Sequence, residues 1–546
     1  MIWENLSKAR LQSIIGNELL ERLEHLLPVL SSKDYDNNEL YRKTNLIKVF
    51  NAFITTEFFR NKKSLRELLN STPPEELKNL CEITNVKTSN SSFEEMLQSL
   101  VNQGWHDTEY CEKFLRWAEL PLSFLPAQRV SLSKEELLHS ARTPYKTLKD
   151  YQFGVYLKAQ EELSKNLSRF VIQMPTGSGK TRTAMEFITD FINNSSENSV
   201  VVWLAHSEEL CEQSLECFKE IWAHVAKREL WLFRCWGGNT SLPYVFSGSA
   251  FVVAGFQKLY SILTRNKTSF DELSGRVGLI VVDEAHKVTA PTYKKVTKAL
   301  MGAETRVVGL TATPGSGSDS VRRNEELRDF FFNNIVSIEA TDEYRSEISY
   351  LRDKKVLAKV KAEPLISGRN YELSPEQEAY LEGNLDFPPG FLSMIGADDV
   401  RNLEIVKRLT KELSHGRRAL FFACSVQHSR FICSLLVYLG YESRHIDGAT
   451  DKGLRRQFLE DFKNNRVQVL CNYGVLSTGF DAPKTDLIFI SRPTTSIVLY
   501  SQMVGRGLRG PAIGGTEHCK LIDVRDNIVS YSDYDDVYNY FEEYWS

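Results

Sequence analysis

The segment Val171-Ile172-Gln173-Met174-Pro175-Thr176-Gly177-Ser178-Gly179-Lys180-Thr181 constrains this chain more than any other: an apolar run, a glycine-rich turn, then a polar helix start. Such a run predicts a buried strand entering a helix through a turn whose backbone N–H groups converge. Gly177 and Gly179 let that backbone approach an anion closely, and Lys180 adds a cation. The expected object is a cradle for phosphates, built from Thr176, Gly177, Ser178, Gly179, Lys180 and Thr181. Lys180 reaches the β- and γ-phosphates, and the Thr181 hydroxyl is placed to ligate Mg2+. Met174 stands where the general pattern has glycine.

From about residue 145 the chain alternates short apolar runs with amphipathic stretches. The expected strands are Arg169–Met174, Val200–Leu204, Ala250–Ala254, Val277–Val282 and Arg306–Leu310. A second series runs Ala419–Cys424, Tyr441–Ile446, Val467–Cys471, Asp486–Ile490 and Lys520–Asp523. Alternation of this kind is the mark of a parallel sheet covered by helices, so the fold class is α/β with two lobes, at 136–335 and 401–546. Residues 336–400, with Pro364, Gly368 and Phe387-Pro388-Pro389-Gly390, read as a linker and helical lead-in. The first 135 residues carry helical periodicity, with Ile15, Leu19, Leu23, Leu26 and Leu30 at three- and four-residue spacing. Thr72-Pro73 with Glu75, Ser92 with Glu95, and Ser133 with Glu136 signal helix starts. We read 1–135 as an all-helical domain with its own core, and expect a truncation near Ser140 to leave the two lobes folded. It carries no constellation of chemical groups; partner binding or regulation and plain packing both stay open.

No apolar run approaches the roughly 18 residues of a spanning helix, and the start, Met1-Ile2-Trp3-Glu4-Asn5, has no leader pattern. The nine cysteines form neither a disulfide framework nor a metal-binding pair, so reduced thiols in the cytoplasm are expected. A net charge of −4 excludes a basic surface all over the molecule but allows a local basic channel.

A second chemical signal lies about a hundred residues beyond the cradle, where Leu279-Ile280-Val281-Val282 runs into Asp283-Glu284-Ala285-His286. Two carboxylates at the end of a buried strand suit a division of labour: Asp283 holds Mg2+ and Glu284 orients and deprotonates an attacking water. Arg506 and Arg509, at i and i+3, share a helix face from which they can reach a γ-phosphate.

Together these segments resemble the superfamily 2 helicases, across about residues 145–545. Tyr151-Gln152 is similar to their adenine-reading motif, although Lys149-Asp150 replaces the usual Arg-Pro before it. His206, Glu209 and Gln213 are similar to motif Ia, Gly255-Phe256-Gln257-Lys258 to the next strand-contacting loop, and Thr311-Ala312-Thr313-Pro314 to motif III. Phe421-Phe422-Ala423-Cys424-Ser425 is similar to motif IV and Leu476-Ser477-Thr478-Gly479-Phe480-Asp481-Ala482-Pro483 to motif V. Gln502-Met503-Val504-Gly505-Arg506-Gly507-Leu508-Arg509 is similar to motif VI.

The resemblance implies two RecA-like lobes hydrolysing ATP with Mg2+. Glu284, Gln502, Arg506 and Arg509 are then catalytic, Thr181 and Asp283 hold the metal, and Tyr151, Gln152, His286, Gly479 and Asp481 join the cradle residues at the nucleotide. Asp-Glu-Ala-His, Thr-Ala-Thr-Pro and Gln-x-x-Gly-Arg-Gly-x-Arg resemble the group of type III restriction translocase subunits and XPB-type repair helicases. No nuclease domain fits in the roughly 25 residues after the final expected strand. The implied function is an ATP-dependent DNA helicase or translocase, in bacterial defence or repair, with DNA favoured over RNA. The rivals are an RNA helicase and a nucleotide-gated subunit without processive unwinding. A protein partner is expected at the helical domain and no membrane association is expected, and Lys258, Lys287 and Lys294 are candidate phosphate contacts.

Overall fold

The computed structural model describes residues 3–529 and 537, except 4–5, 32–35, 53, 55, 89–91, 121, 127–134, 140–145, 166–167, 197, 239–247, 313–320, 340–343, 345, 385 and 477–484. The first lobe holds β1 (Glu135–Leu138), β2 (Arg169–Gln173), β3 (Val200–Ala205), β4 (Leu230–Cys235), β5 (Ala250–Gly255), β6 (Val277–Asp283), β7 (Arg306–Thr311) and β8 (Ile335–Ser337). They form one sheet in the order β1-β4-β5-β3-β6-β7-β2-β8. Every pairing is parallel except β1 with β4. The second lobe holds β9 (Lys359–Ala362), β10 (Leu365–Glu372), β11 (Ala419–Phe422), β12 (Ser443–Ile446), β13 (Val469–Asn472), β14 (Leu487–Ile490) and β15 (His518–Val529). Its order is β10-β15-β14-β11-β13-β12, with β9 also on β15, all parallel. Strands β3, β11, β13 and β14 are buried along their whole length, as sheets covered on both faces require.

The structure departs from the sequence reading at four places. Ser133, expected with Glu136 to start a helix, lies outside the described residues, and Glu136 stands in a strand, β1, where it accepts from Arg234 at 2.9 Å and Lys219 at 2.6 Å. Strand β4 was masked in the sequence by Arg234, a charge inside an otherwise apolar run that this same pair makes tolerable in a buried position. The span 336–400 is more than a linker, since β9 and β10 complete the second sheet. Gly368, at φ +66°, sits where the register of β10 shifts; burial still alternates along the strand, but Ser367 and Arg369 take the half-buried positions and Ile366 an exposed one, which hides the period-2 pattern in the sequence.

The fourth departure is the helical domain. Its helices include Lys8–Ile15, Asn17–Leu30, Lys43–Asn51, Glu57–Arg60, Pro74–Thr84 and Phe93–Gln103. Ser92 caps as expected, accepting from the Glu95 N–H, whereas Thr72 turns back to the Leu68 carbonyl and Pro73 takes the cap position. The core of the domain, which includes the packed rings of Trp3 and Phe50 and of Phe59, Trp105 and Phe114, is not separate from that of the second lobe. Leu27, Phe59, Trp105 and Phe114 belong to one continuous buried cluster with Ile405, Leu409, Phe431 and Leu436 of the second lobe. The helix Val426–Tyr438 buries six consecutive residues, 431–436, so apolar side chains also lie on the side turned from its sheet and need a cover, which the helical domain supplies. Arg22 lies over the Phe431 ring at 3.9 Å and donates to Asp399 at 2.7 Å.

Candidate active site in the cleft between the lobes

Strand β2 ends at the turn Met174–Gly179, and the helix Lys180–Asn194 begins there. Gly177 and Gly179 take φ +86° and +88°, a backbone open to glycine at no steric cost, and Gly179 is the residue that starts the helix. Tyr151 and Gln152, on the helix Asp150–Ser164, brace this turn from behind. The Tyr151 hydroxyl donates to the Ser178 carbonyl at 2.7 Å and the Gln152 amide donates to the same oxygen at 3.2 Å. The Gln152 carbonyl accepts from the Lys149 N–H at 3.0 Å. Tyr151 is buried, so the open stacking face expected of it is absent here.

Two strands away in the sheet, β6 delivers Asp283 and Glu284 to the same end. Glu284 adopts φ +56° and ψ +64°, a left-handed conformation costly for a non-glycine residue, and its N–H donates to the Asp283 carboxylate at 3.1 Å. The two carboxyl groups titrate apart. Burial and the neighbouring Glu284 charge push Asp283 up. Burial is the largest influence on Glu284 and opposes its charge, but Lys180, His286, His206 and Lys287 together outweigh it and hold that group down. Burial lowers His286 and His206 to about 4, so both imidazoles are neutral at pH 7. His286 lies 3.5 Å from Glu284.

The second lobe closes on this array. Gln502, on the helix Ile497–Val504, donates to Glu284 at 3.2 Å. Gly505 is pressed against the cradle: a Cβ there would sit 2.1 Å from the Thr176 methyl. A Cβ at Gly177 would meet Leu357 at 3.6 Å and the Arg509 side chain at 3.9 Å. Arg506 donates to the Gln502 carbonyl at 3.2 Å. Burial lowers both guanidinium groups to about 10, with Glu284 partly offsetting this at Arg506, so both remain cationic. Cleft residues from chain segments more than 300 positions apart thus converge on one point.

Not every candidate arrives there. Gly479 and Asp481, and Thr313 and Pro314 of the third motif, lie outside the described residues; Thr311 is buried in β7, its carbonyl accepting from the Met174 N–H. Lys258 donates to the Gly237 carbonyl and Lys294 pairs with Glu326, while Lys287 faces the carboxylates of the cleft. Glu209, of the segment similar to motif Ia, meets Arg455 of the other lobe at 2.9 Å, a contact that no sequence motif signalled.

Comparison with known proteins agrees with this geometry. The family model described as "Type III restriction enzyme, res subunit" matches residues 145–316, and "Helicase conserved C-terminal domain" matches 401–510. A 51.5 kDa protein of a Lactococcus phage is 26% identical over 69% of this chain and 70% of its own length. The Saccharomyces cerevisiae protein named as an ATP-dependent helicase, IRC3, is 24% identical over 69% of this chain; that match spans 51% of the yeast protein. The ATP-dependent type ISP restriction-modification enzyme LlaBIII, solved bound to DNA, shares the fold with TM-score 0.51 and 17% identity, over 72% of this chain and 29% of that enzyme. With both family matches in order and the lobes they describe joined at one cleft, the chain belongs to the superfamily 2 helicases, in the group resembling type III restriction enzymes.

Proposed function

We propose that this protein is an ATP-driven DNA helicase or translocase that hydrolyses ATP in the cleft between its lobes. The observation that carries the proposal is the reach of Gln502, Arg506 and Arg509 from the second lobe to the cradle and Glu284 of the first. Glu284 takes a proton from the attacking water, and Lys180, Arg506 and Arg509 stabilise charge on the transferring phosphoryl group. Asp283 and Thr181 suit a Mg2+ ion: a buried carboxyl raised by its acidic neighbour is the uncompensated charge that a divalent cation balances. That ion neutralises charge on the phosphates; the chain's own groups position the water and close the cleft.

DNA is favoured over RNA by the restriction-like family match and by the fold shared with an enzyme solved on DNA. Among the described residues no helix is long and apolar enough to cross a membrane, and the nine cysteines are free thiols, which supports the cytoplasm as its site of action. Defence or repair is the proposed setting. The test is steady-state ATP turnover with single-stranded, duplex and forked DNA and with RNA, each at two salt concentrations. The expected result is DNA stimulation that falls steeply with salt, because releasing counterions from the phosphates into a saltier solution gains less entropy. Stimulation by RNA alone would make the protein an RNA helicase, and stimulation by neither would favour a nucleotide-gated subunit.

A further inference from the structure

The helical domain touches the second lobe at a mechanically sensitive point. Arg60, at the end of the helix Glu57–Arg60, pairs with Asp451 at 2.9 Å, where the Asp451 side chain is 8% exposed. Asp451 occupies the cap position of the helix Lys452–Lys463, yet it makes no cap hydrogen bond to that helix. An aspartate there ordinarily accepts from the free N–H groups of the first turn. Here its carboxylate is diverted to Arg60.

One turn further along, Arg455 is fixed on both sides. Its N–H donates to the Asp451 carbonyl at 2.8 Å, and its guanidinium donates to the Asp447 carbonyl at 3.0 Å. The other arm crosses the cleft to Glu209 at 2.9 Å. Asp447 is itself held by His445 at 3.1 Å and Arg430 at 3.2 Å. Two ion pairs, Arg60 with Asp451 and Arg455 with Glu209, are therefore joined by the backbone of the first turn of one helix, linking the helical domain to the first lobe.

We propose that Arg60 and Asp451 are positioning residues for lobe closure: by anchoring the amino end of the helix Lys452–Lys463, the helical domain aims Arg455 at Glu209. The inference rests on the hydrolytic reading of the cleft given above, because closure is what brings Arg506 and Arg509 to the cradle. It assigns the helical domain a control over turnover exerted from the second lobe. A partner that displaces Arg60 frees Asp451 to cap its own helix, and the aim of Arg455 is lost.

The experiment compares Arg60→Glu, Arg60→Lys, Arg455→Ala and the Arg60→Glu/Arg455→Ala double variant in the full-length chain. Closure is read by energy transfer between dyes on the two lobes as a non-hydrolysable ATP analogue is added, without nucleic acid; kcat and KM for ATP are measured alongside. Arg60→Glu and Arg455→Ala are expected each to lower kcat and the closed fraction about fivefold with KM nearly unchanged. Arg60→Lys retains most of both, and the double variant is no worse than Arg455→Ala, as coupled residues require. Unchanged closure in Arg60→Glu, or effects that multiply in the double variant, overturns the relay. A wild type that closes on the analogue but ignores all nucleic acids refutes the DNA reading and leaves this inference standing.

Discussion

Gly505→Ala is the most incisive single change at the cleft, because the structure fixes what it does. Gly505 has φ −55° and ψ −19°, an ordinary helical conformation, so alanine brings no backbone strain. It brings one methyl group. That methyl would lie 2.1 Å from the Thr176 methyl of the other lobe, where ordinary contact begins at 3.4 Å, and 2.9 Å from the Ser501 carbonyl oxygen of its own helix, so the lobes part locally by up to about 1.3 Å and the helix end gives slightly. A displacement near 1 Å between reacting groups costs on the order of 10²-fold in rate. Nucleotide is held mainly by the first lobe, so its affinity should change less than about threefold, a ~0.6 kcal/mol effect. Steady-state ATPase beside equilibrium binding of a fluorescent ATP analogue separates the two quantities. Thr176→Ser in the same background removes the offending methyl, keeps the hydroxyl and should restore part of the rate. Normal turnover by Gly505→Ala would show that the cleft closes differently in catalysis.

Three further outcomes follow from the same contacts. Lys180→Ala should weaken nucleotide binding and abolish hydrolysis, whereas Glu284→Gln should retain bound, unhydrolysed ATP; near-normal turnover by Glu284→Gln removes that residue from the mechanism. Removing residues 1–126 should yield an aggregating protein or one whose second lobe melts early, checked by light scattering and thermal unfolding, because it strips the cover from Phe431 and its neighbours. Glu363 is held down at about 2 by Lys520, Lys361 and Arg408, from an ordinary 4.5. A lowered folded value stabilises above the ordinary value and fades as pH falls, so the Tm advantage of wild type over Glu363→Gln should be full at pH 7 and shrink steadily below about pH 4.5. An advantage independent of pH would place that stabilisation elsewhere.

The parts legible in the sequence were those whose cause is local. The strands β2, β3, β5, β6 and β7 and the cradle are short apolar runs ending in chemically specific turns, and each appears within a residue or two of its expected bounds. The placing of Arg506 at the cleft, within the influence of the Glu284 charge, followed from motif order rather than from any property of Arg506. What escaped notice depends on distant partners. Arg234 is acceptable in β4 only because Glu136 arrives from β1, and Glu136 sits in a strand only because β4 is there. The helical domain had correct periodicity, but amphipathic spacing reveals that a face is buried and not what buries it. Nothing in the sequence singles out Arg455 or Arg60, because their partners Glu209 and Asp451 come from other lobes of the fold.

The central claim is that neither lobe hydrolyses ATP alone and that the second lobe supplies the charge for the transition state. Turnover of Arg506→Ala and Arg509→Ala at saturating ATP tests it most directly. Each should fall on the order of 10³-fold, the contribution of an arginine finger, while affinity for the ATP analogue falls far less. If both variants turn over at the wild-type rate, the stabilising charge comes from elsewhere and the cleft seen here is not the catalytic unit.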